Sequence, residues 1–265
     1  MIYLLHFRII MKYQRFIPLV IPLVAWLGSQ IYLVRPEFFY IVLALVTLLI
    51  ILSVRYLTLK NRDGWLLYAI SPVLVFLGLA SYITIIIGNF WIQTVLLAAA
   101  WYLFSYFKGL YLYINAEEGE IIDSQLAQLE NLLIAGGFLV VFSTTGFWFG
   151  LPAFVSWLPL YSLPVVAIVI LLLFVQFSLF SPNRDRPLGT TALLIVILLT
   201  ESAWAFSLLP LHFNILAMFM AISYYFGFTI LRLKWSGSLD WRSLKIPLLL
   251  SSLAMLSLFL TARWL

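Results

Sequence analysis

Cysteine is absent from this chain, which removes disulfides, thiolate zinc sites, cysteine-ligated iron–sulfur clusters and cysteine nucleophiles at once. Histidine is almost absent: His6 and His212 lie far apart without the spacing of metal ligands, so no metal site is expected. Charge is scarce as well. Asp, Glu, Lys and Arg form 9% of the 265 residues, where soluble domains carry about 25%. No H-E-x-x-H, G-x-S-x-G or Walker A sequence occurs, nor a pair of intramembrane aspartates or of haem-type histidines. A lipid-linked glycosyltransferase would need an acidic residue in a substantial outer loop, and Arg35-Pro36-Glu37 is too cramped for one. Neither an enzyme nor a cofactor is expected.

Hydrophobic residues fill what charge leaves, at 65% of the chain with a mean hydropathy of +1.11. A water-soluble globule of this length could not hide that apolar surface, because its outer shell needs polar groups. Lipid removes the requirement. At roughly 20 residues per span plus short loops, about nine spans fit. They fall near 16–34, 38–54, 65–87, 90–107, 131–151, 160–180, 190–209, 211–231 and 246–262. Each is predicted to be helical, since lipid offers no partner for free backbone amides and the apolar runs are continuous rather than alternating. The expected fold class is all-α, a polytopic transmembrane helix bundle forming one integral membrane domain over 1–265.

The net charge of +5 and pI near 9.4 do not point to nucleic acid, because no dense Lys/Arg run occurs. The expected partner is the lipid bilayer. With nine spans and a cytoplasmic N-terminus, the cytoplasmic segments hold Arg8, Lys12, Arg15, Arg55, Lys60, Arg62, Lys108, Arg184, Arg186, Arg232, Lys234, Arg242 and Lys245. Only Arg35 and Arg263 fall outside, the asymmetry that sets orientation and predicts an external C-terminus. Trp65, Trp91, Trp157, Trp235, Trp241 and Trp264 fall near span ends, like an interfacial belt, whereas Trp26, Trp101 and Trp204 sit deeper and are expected to pack between helices. Met11-Lys12-Tyr13-Gln14-Arg15 reads as a conventional beginning, which leaves residues 1–10 as an over-extended start or a short interfacial helix.

Glu201 stands out as the sole acid inside an expected span, about twelve residues into the seventh, roughly 18 Å along it. A charge there costs at least about 2.5–3.5 kcal/mol on insertion scales, so it is expected to face the bundle interior. As a functional group it would be a proton or cation site or an anchor for a polar ligand. As a structural one it would be a protonated acid bonded to hydroxyls, which Thr200, Ser202 and the Ser143-Thr144-Thr145 cluster could supply. No Lys or Arg lies inside a span to pair with it.

Span five carries Gly136-Gly137 and Gly146-Phe147-Trp148-Phe149-Gly150, spaced for close helix packing, with a hinge or a dimer contact as the alternative. Pro18, Pro22, Pro72 and Pro164 lie in or at the ends of spans and favour transport only slightly. The acidic segment from Asn115 to Glu130 is a candidate dock for a cytoplasmic partner or a solvated lead-in, with Asp123 as cap of a helix presenting Leu126, Leu129 and Leu133. The aromatic stretch Trp101 to Tyr113 before it resembles an interfacial belt.

The stretch Glu201-Ser-Ala-Trp-Ala-Phe-Ser-Leu-Leu-Pro210, followed by two more spans, resembles uncharacterised multi-span bacterial membrane proteins over the last quarter of the chain. The resemblance implies a bacterial cytoplasmic (inner) membrane and no particular activity. Two function classes lead: a structural, assembly or partner-binding membrane protein, and a small proton- or ion-coupled transporter or lipid-handling permease using Glu201. An interior, water-reached Glu201 would favour the second.

Overall fold

The computed structural model describes residues 14–58, 64–115, 120–153, 163–178 and 190–262. Residues 1–10, His6, Trp157, Trp264, Arg184, Arg186 and the 116–119 part of the acidic segment lie outside the described residues. Among the described residues there are nine α-helices and no strand: α1 Ile17–Val34, α2 Phe39–Leu57, α3 Trp65–Ile83, α4 Asn89–Ile114, α5 Glu120–Gly150, α6 Leu163–Ser178, α7 Thr190–Ser207, α8 Phe213–Trp235 and α9 Trp241–Thr261. Eight are long and apolar enough to cross a membrane, and α6 is described over 16 residues. Short 3₁₀ turns follow α1 at Pro36–Phe38 and α5 at Leu151–Ala153.

Helix ends differ from the sequence reading where a charge marks the boundary of an apolar run. α4 runs on to Ile114, past Lys108, because a single cation does not interrupt intrahelical hydrogen bonding. α5 begins at Glu120, so Asp123 lies within its first turn rather than at its cap. α9 begins at Trp241, where Asp240 caps the helix by accepting from the Ser243 amide at 2.7 Å. Hydrogen bonds from Ser243 also hold the Asp240 carboxyl below its ordinary value.

Contacts group the chain into two compact units, with the divisions falling within α3 and α5. The first holds residues 1–80 and 87–133. In it α1 packs along α4 and α2. The buried residues of α1 (Ile21, Ala25, Ser29, Tyr32) recur at three to four positions, one face of a helix. Gly28 lets α1 approach α2, where an added Cβ would sit 3.2 Å from Val42 and Val46.

Much of the aromatic stretch proves to be core of this first unit. Tyr102, Leu103, Tyr106, Phe107 and Leu110 are fully buried on α4, with Tyr102 and Tyr106 stacked at 5.9 Å. Tyr102 and Ser71 share a hydrogen bond of 2.5 Å. Tyr106 answers a defect in α3. Pro72 has no amide to donate four residues back, which strips the Tyr68 carbonyl of its helical partner. The Tyr106 hydroxyl donates to that carbonyl at 2.7 Å. Gln30 on α1 and Gln93 on α4 add a reciprocal amide pair, at 2.9 and 3.1 Å.

The second unit holds residues 81–86 and 134–265. α7 packs against α6 and α8, and α8 against α9. Between α6 and α8 run aromatic contacts: Phe174 stacks on Tyr224, Phe177 meets Phe228 edge-on at 4.3 Å, and Phe177 stacks on Trp235. α9 is peripheral; 6% of its apolar window is buried, against 56% for α8.

Candidate functional site

Gly136, Gly137, Gly146 and Gly150 are all buried on α5 in the second unit. A Cβ on Gly137 would collide with the Tyr224 hydroxyl, one on Gly146 would stand 2.7 Å from the Tyr82 ring, and one on Gly150 2.6 Å from Ile85. Gly137, Gly146 and Gly150 therefore lie at close contacts within the chain. Tyr82, so admitted, donates to Asn214 Oδ1 at 2.6 Å, and Asn214 gives its own amide to Nδ1 of His212, the cap of α8. His212 thus acts as a helix cap, and among the described residues no group of three metal-ligating side chains forms.

The polar residues singled out around Glu201 do not converge on it. Thr200 donates to the Val196 carbonyl at 2.8 Å and Ser202 to Leu198 at 2.7 Å. Thr145 donates to Val141 at 2.5 Å and Ser143 to Leu139 at 2.7 Å, while Thr144 is half-buried on the same helix. Each of these bonded hydroxyls turns back on its own helix, the usual recourse of Ser and Thr in a helix interior.

Glu201 itself is exposed, which overturns the expected interior orientation. The buried stripe of α7 is Ala192, Ile195, Val196, Leu199 and Ala203. It faces α8, where Gly227 lets Ile195 and Leu199 come close. Two of the five are alanines, so tight packing rather than polarity chose this face. Glu201 lies on the other side of the helix with Leu194, Ile197, Leu198 and Trp204, all exposed. Trp101 on α4 and Trp204 are likewise exposed, in contrast to the expected packing between helices.

Among the described residues of the second unit, the cations lie away from Glu201 along the chain. The described Lys and Arg of the second unit are Arg232 and Lys234 at the end of α8 and Arg242 and Lys245 at the start of α9. The Lys234 ammonium bonds the Thr191 hydroxyl, which sets that cationic end beside the first turn of α7. Ten residues of helix, roughly 15 Å, separate Thr191 from Glu201.

A cavity in the first unit is of another kind. Ala25, Trp26, Ser29, Phe76, Leu96 and Ala99 are among its lining, and it is apolar, with space for about one water. Nothing in it offers a catalytic or ion-binding set of groups. No protein-family model, curated protein or solved structure matches the chain.

Proposed function

We propose that the chain is a multi-pass integral membrane protein with a partner-binding or assembly role, and that the outer face of α7 around Glu201 is its binding face. Nine spans, a cytoplasmic N-terminus and an external C-terminus fit the distribution of Lys and Arg, and a bacterial inner membrane fits the resemblance of the last quarter. The exposed surface supports insertion. Leu45, Leu48 and Leu52 on α2, Leu193, Leu194, Ile197 and Leu198 on α7, and Leu249, Leu250 and Leu253 on α9 are exposed on helix after helix. Water does not tolerate apolar faces of that extent on a single chain.

The observation that carries the binding role is an exposed carboxyl in an otherwise apolar face, past the middle of a helix of spanning length. Left against lipid, such a group costs about 2.5–3.5 kcal/mol or more. A protein surface that offers it a hydrogen bond offsets much of that cost. Transport through Glu201 would require water to reach it inside the bundle, and the exposed orientation and the self-bonded hydroxyls of Thr200, Ser202 and Thr145 do not favour that reading.

The test is a spin label on Ile197→Cys in native membranes, made convenient by the lack of native cysteine. A covered face gives low accessibility both to oxygen and to a water-soluble nickel chelate. High oxygen accessibility would return the face to lipid and sink the binding role. High nickel accessibility would mean water at this depth and revive transport.

A further inference from the structure

We infer that the occupant of the α7 face is a second copy of this chain, joined in a parallel, two-fold contact in which the two Glu201 carboxyls hydrogen-bond each other; this rests on the binding role above. The exposed residues of α7 fall in a register that a partner helix can read. Thr190, Leu194, Ile197, Glu201, Trp204 and, in the turn after the helix, Leu208 are spaced alternately by four and three. That is the a/d seam of a two-stranded, left-handed helix pair, with about 3.5 residues per turn relative to the partner. Every seam residue is exposed, Leu194 at 57%, Ile197 at 53%, Trp204 at 50% and Leu208 at 67%. Among the described residues the packing of α7 against α6 and α8 uses another face, the buried stripe on Ala192, Ile195, Val196, Leu199 and Ala203.

Polarity selects the occupant. A single polar group in an apolar seam sets register and strand number, because any other alignment leaves it facing hydrocarbon. A carboxyl carrying its proton is donor and acceptor at once, so it is its own complement. Copies of one chain insert in one orientation. Each therefore carries Glu201 at the same depth, and a two-fold axis along the membrane normal brings like residue to like. Among the described residues of the second unit, Lys234 lies beside Thr191 at the far end of α7 and Arg232, Arg242 and Lys245 flank the same α8–α9 turn, so in a parallel contact these cations stay away from Glu201. The carboxyl pair is the polar contact such a copy provides.

The experiment is disulfide trapping of the purified chain in liposomes with a membrane-permeant oxidant, using single cysteines at Ile197, Trp204 and Leu208 and a control at the exposed Leu253 of α9. Trapped dimer at the three seam positions and little at Leu253 is expected, since a disulfide requires Cα atoms within about 7 Å. In the Ile197→Cys background, Glu201→Gln keeps a donor and an acceptor and is expected to keep the dimer. Glu201→Leu is expected to weaken self-association about 5- to 30-fold, the loss of one interhelical hydrogen bond pair. Absence of trapping in liposomes, together with a covered Ile197 in native membranes, would overturn the second copy and leave a different protein as occupant. Absence of trapping with Ile197 open to lipid in native membranes would overturn both this inference and the binding role. Equal trapping at Leu253 would mean random collision and likewise overturn the seam.

Discussion

Replacing Tyr106 by Phe tests whether one helix repairs another. The ring is fully buried and stacked on Tyr102, and Phe keeps both properties, so the substitution removes a hydroxyl and little else. That hydroxyl is the donor to the Tyr68 carbonyl, whose helical partner Pro72 lacks. Depriving a buried carbonyl of its donor costs about 1–3 kcal/mol, and interhelical bonds in bilayers fall toward the lower half of that range. A loss of about 1–2 kcal/mol is therefore expected for Tyr106→Phe. In the Pro72→Ala background the cost shrinks. The backbone amide that the alanine introduces can close the ordinary bond to the Tyr68 carbonyl, which then no longer depends on the Tyr106 hydroxyl. Tyr106→Phe should there cost less, giving a coupling of about 0.5–1 kcal/mol between positions on two helices. Equilibrium unfolding in mixed micelles, followed by circular dichroism, measures all four corners of the cycle. An equal cost of Tyr106→Phe in both backgrounds would refute the reasoning, since the hydroxyl would then be serving something other than the proline's missing donor.

The amide pair of α1 and α4 should show a similar asymmetry. Gln30→Leu or Gln93→Leu alone strands the other amide, and the double substitution should recover at least half of the summed loss in the same unfolding assay. Gly146→Ala forces a Cβ against the Tyr82 ring and should cost about 1–3 kcal/mol as overpacking; wild-type stability would mean that the ring moves freely. Asp240 supplies a pH dependence. Its carboxyl is held below its ordinary value of 3.8, so the order it lends to the first turn of α9 is present above that value and lost as the pH falls through the lowered one. The protection of the Ser243 amide against hydrogen exchange, relative to its intrinsic rate at each pH, should fall over that acid range, and an unchanged protection would remove the cap's role. Glu201→Leu should insert more readily by about 3–4 kcal/mol on a translocon assay, while self-association falls.

How much of this is legible from residues alone depends on which symmetry the residues break. The nine helices among the described residues lie roughly where apolar run length places them, as expected of segments that lipid would force into helix. The ends are less legible. Lys108 and Arg242 lie beyond the apolar runs, yet α4 and α9 contain them, because a cation near a helix end reaches out along its own stem. The sequence Asp240-Trp241-Arg242-Ser243 carries a capping signal for α9, and it lies just outside the apolar run that places that span. The Tyr106 repair of Pro72 is out of reach, since Tyr68 and Tyr106, 38 apart in sequence, become neighbours only once α3 and α4 are paired.

Glu201 shows why rotation about the helix axis is the hardest quantity to read. In a soluble helix the charged residues mark the outside and the apolar stripe marks the core. α7 is apolar on both sides, with Ala192, Ile195 and Leu199 buried and Leu194, Ile197 and Leu198 exposed, so hydrophobicity does not distinguish them. The sole charged residue of the helix then points the wrong way, because a buried acid is the natural expectation for a helix considered by itself. What distinguishes the faces is volume. The buried face carries Ala192 and Ala203 and meets Gly227, whereas the exposed face carries leucines and a tryptophan. Small residues mark where two helices of this chain touch, and large ones mark a surface still available to touch something else. A polar group on the small-residue face would have been satisfied within the chain. Glu201 lies on the large-residue face, in heptad step with Leu194, Ile197, Trp204 and Leu208, and among the described residues no side chain of the chain packs over it.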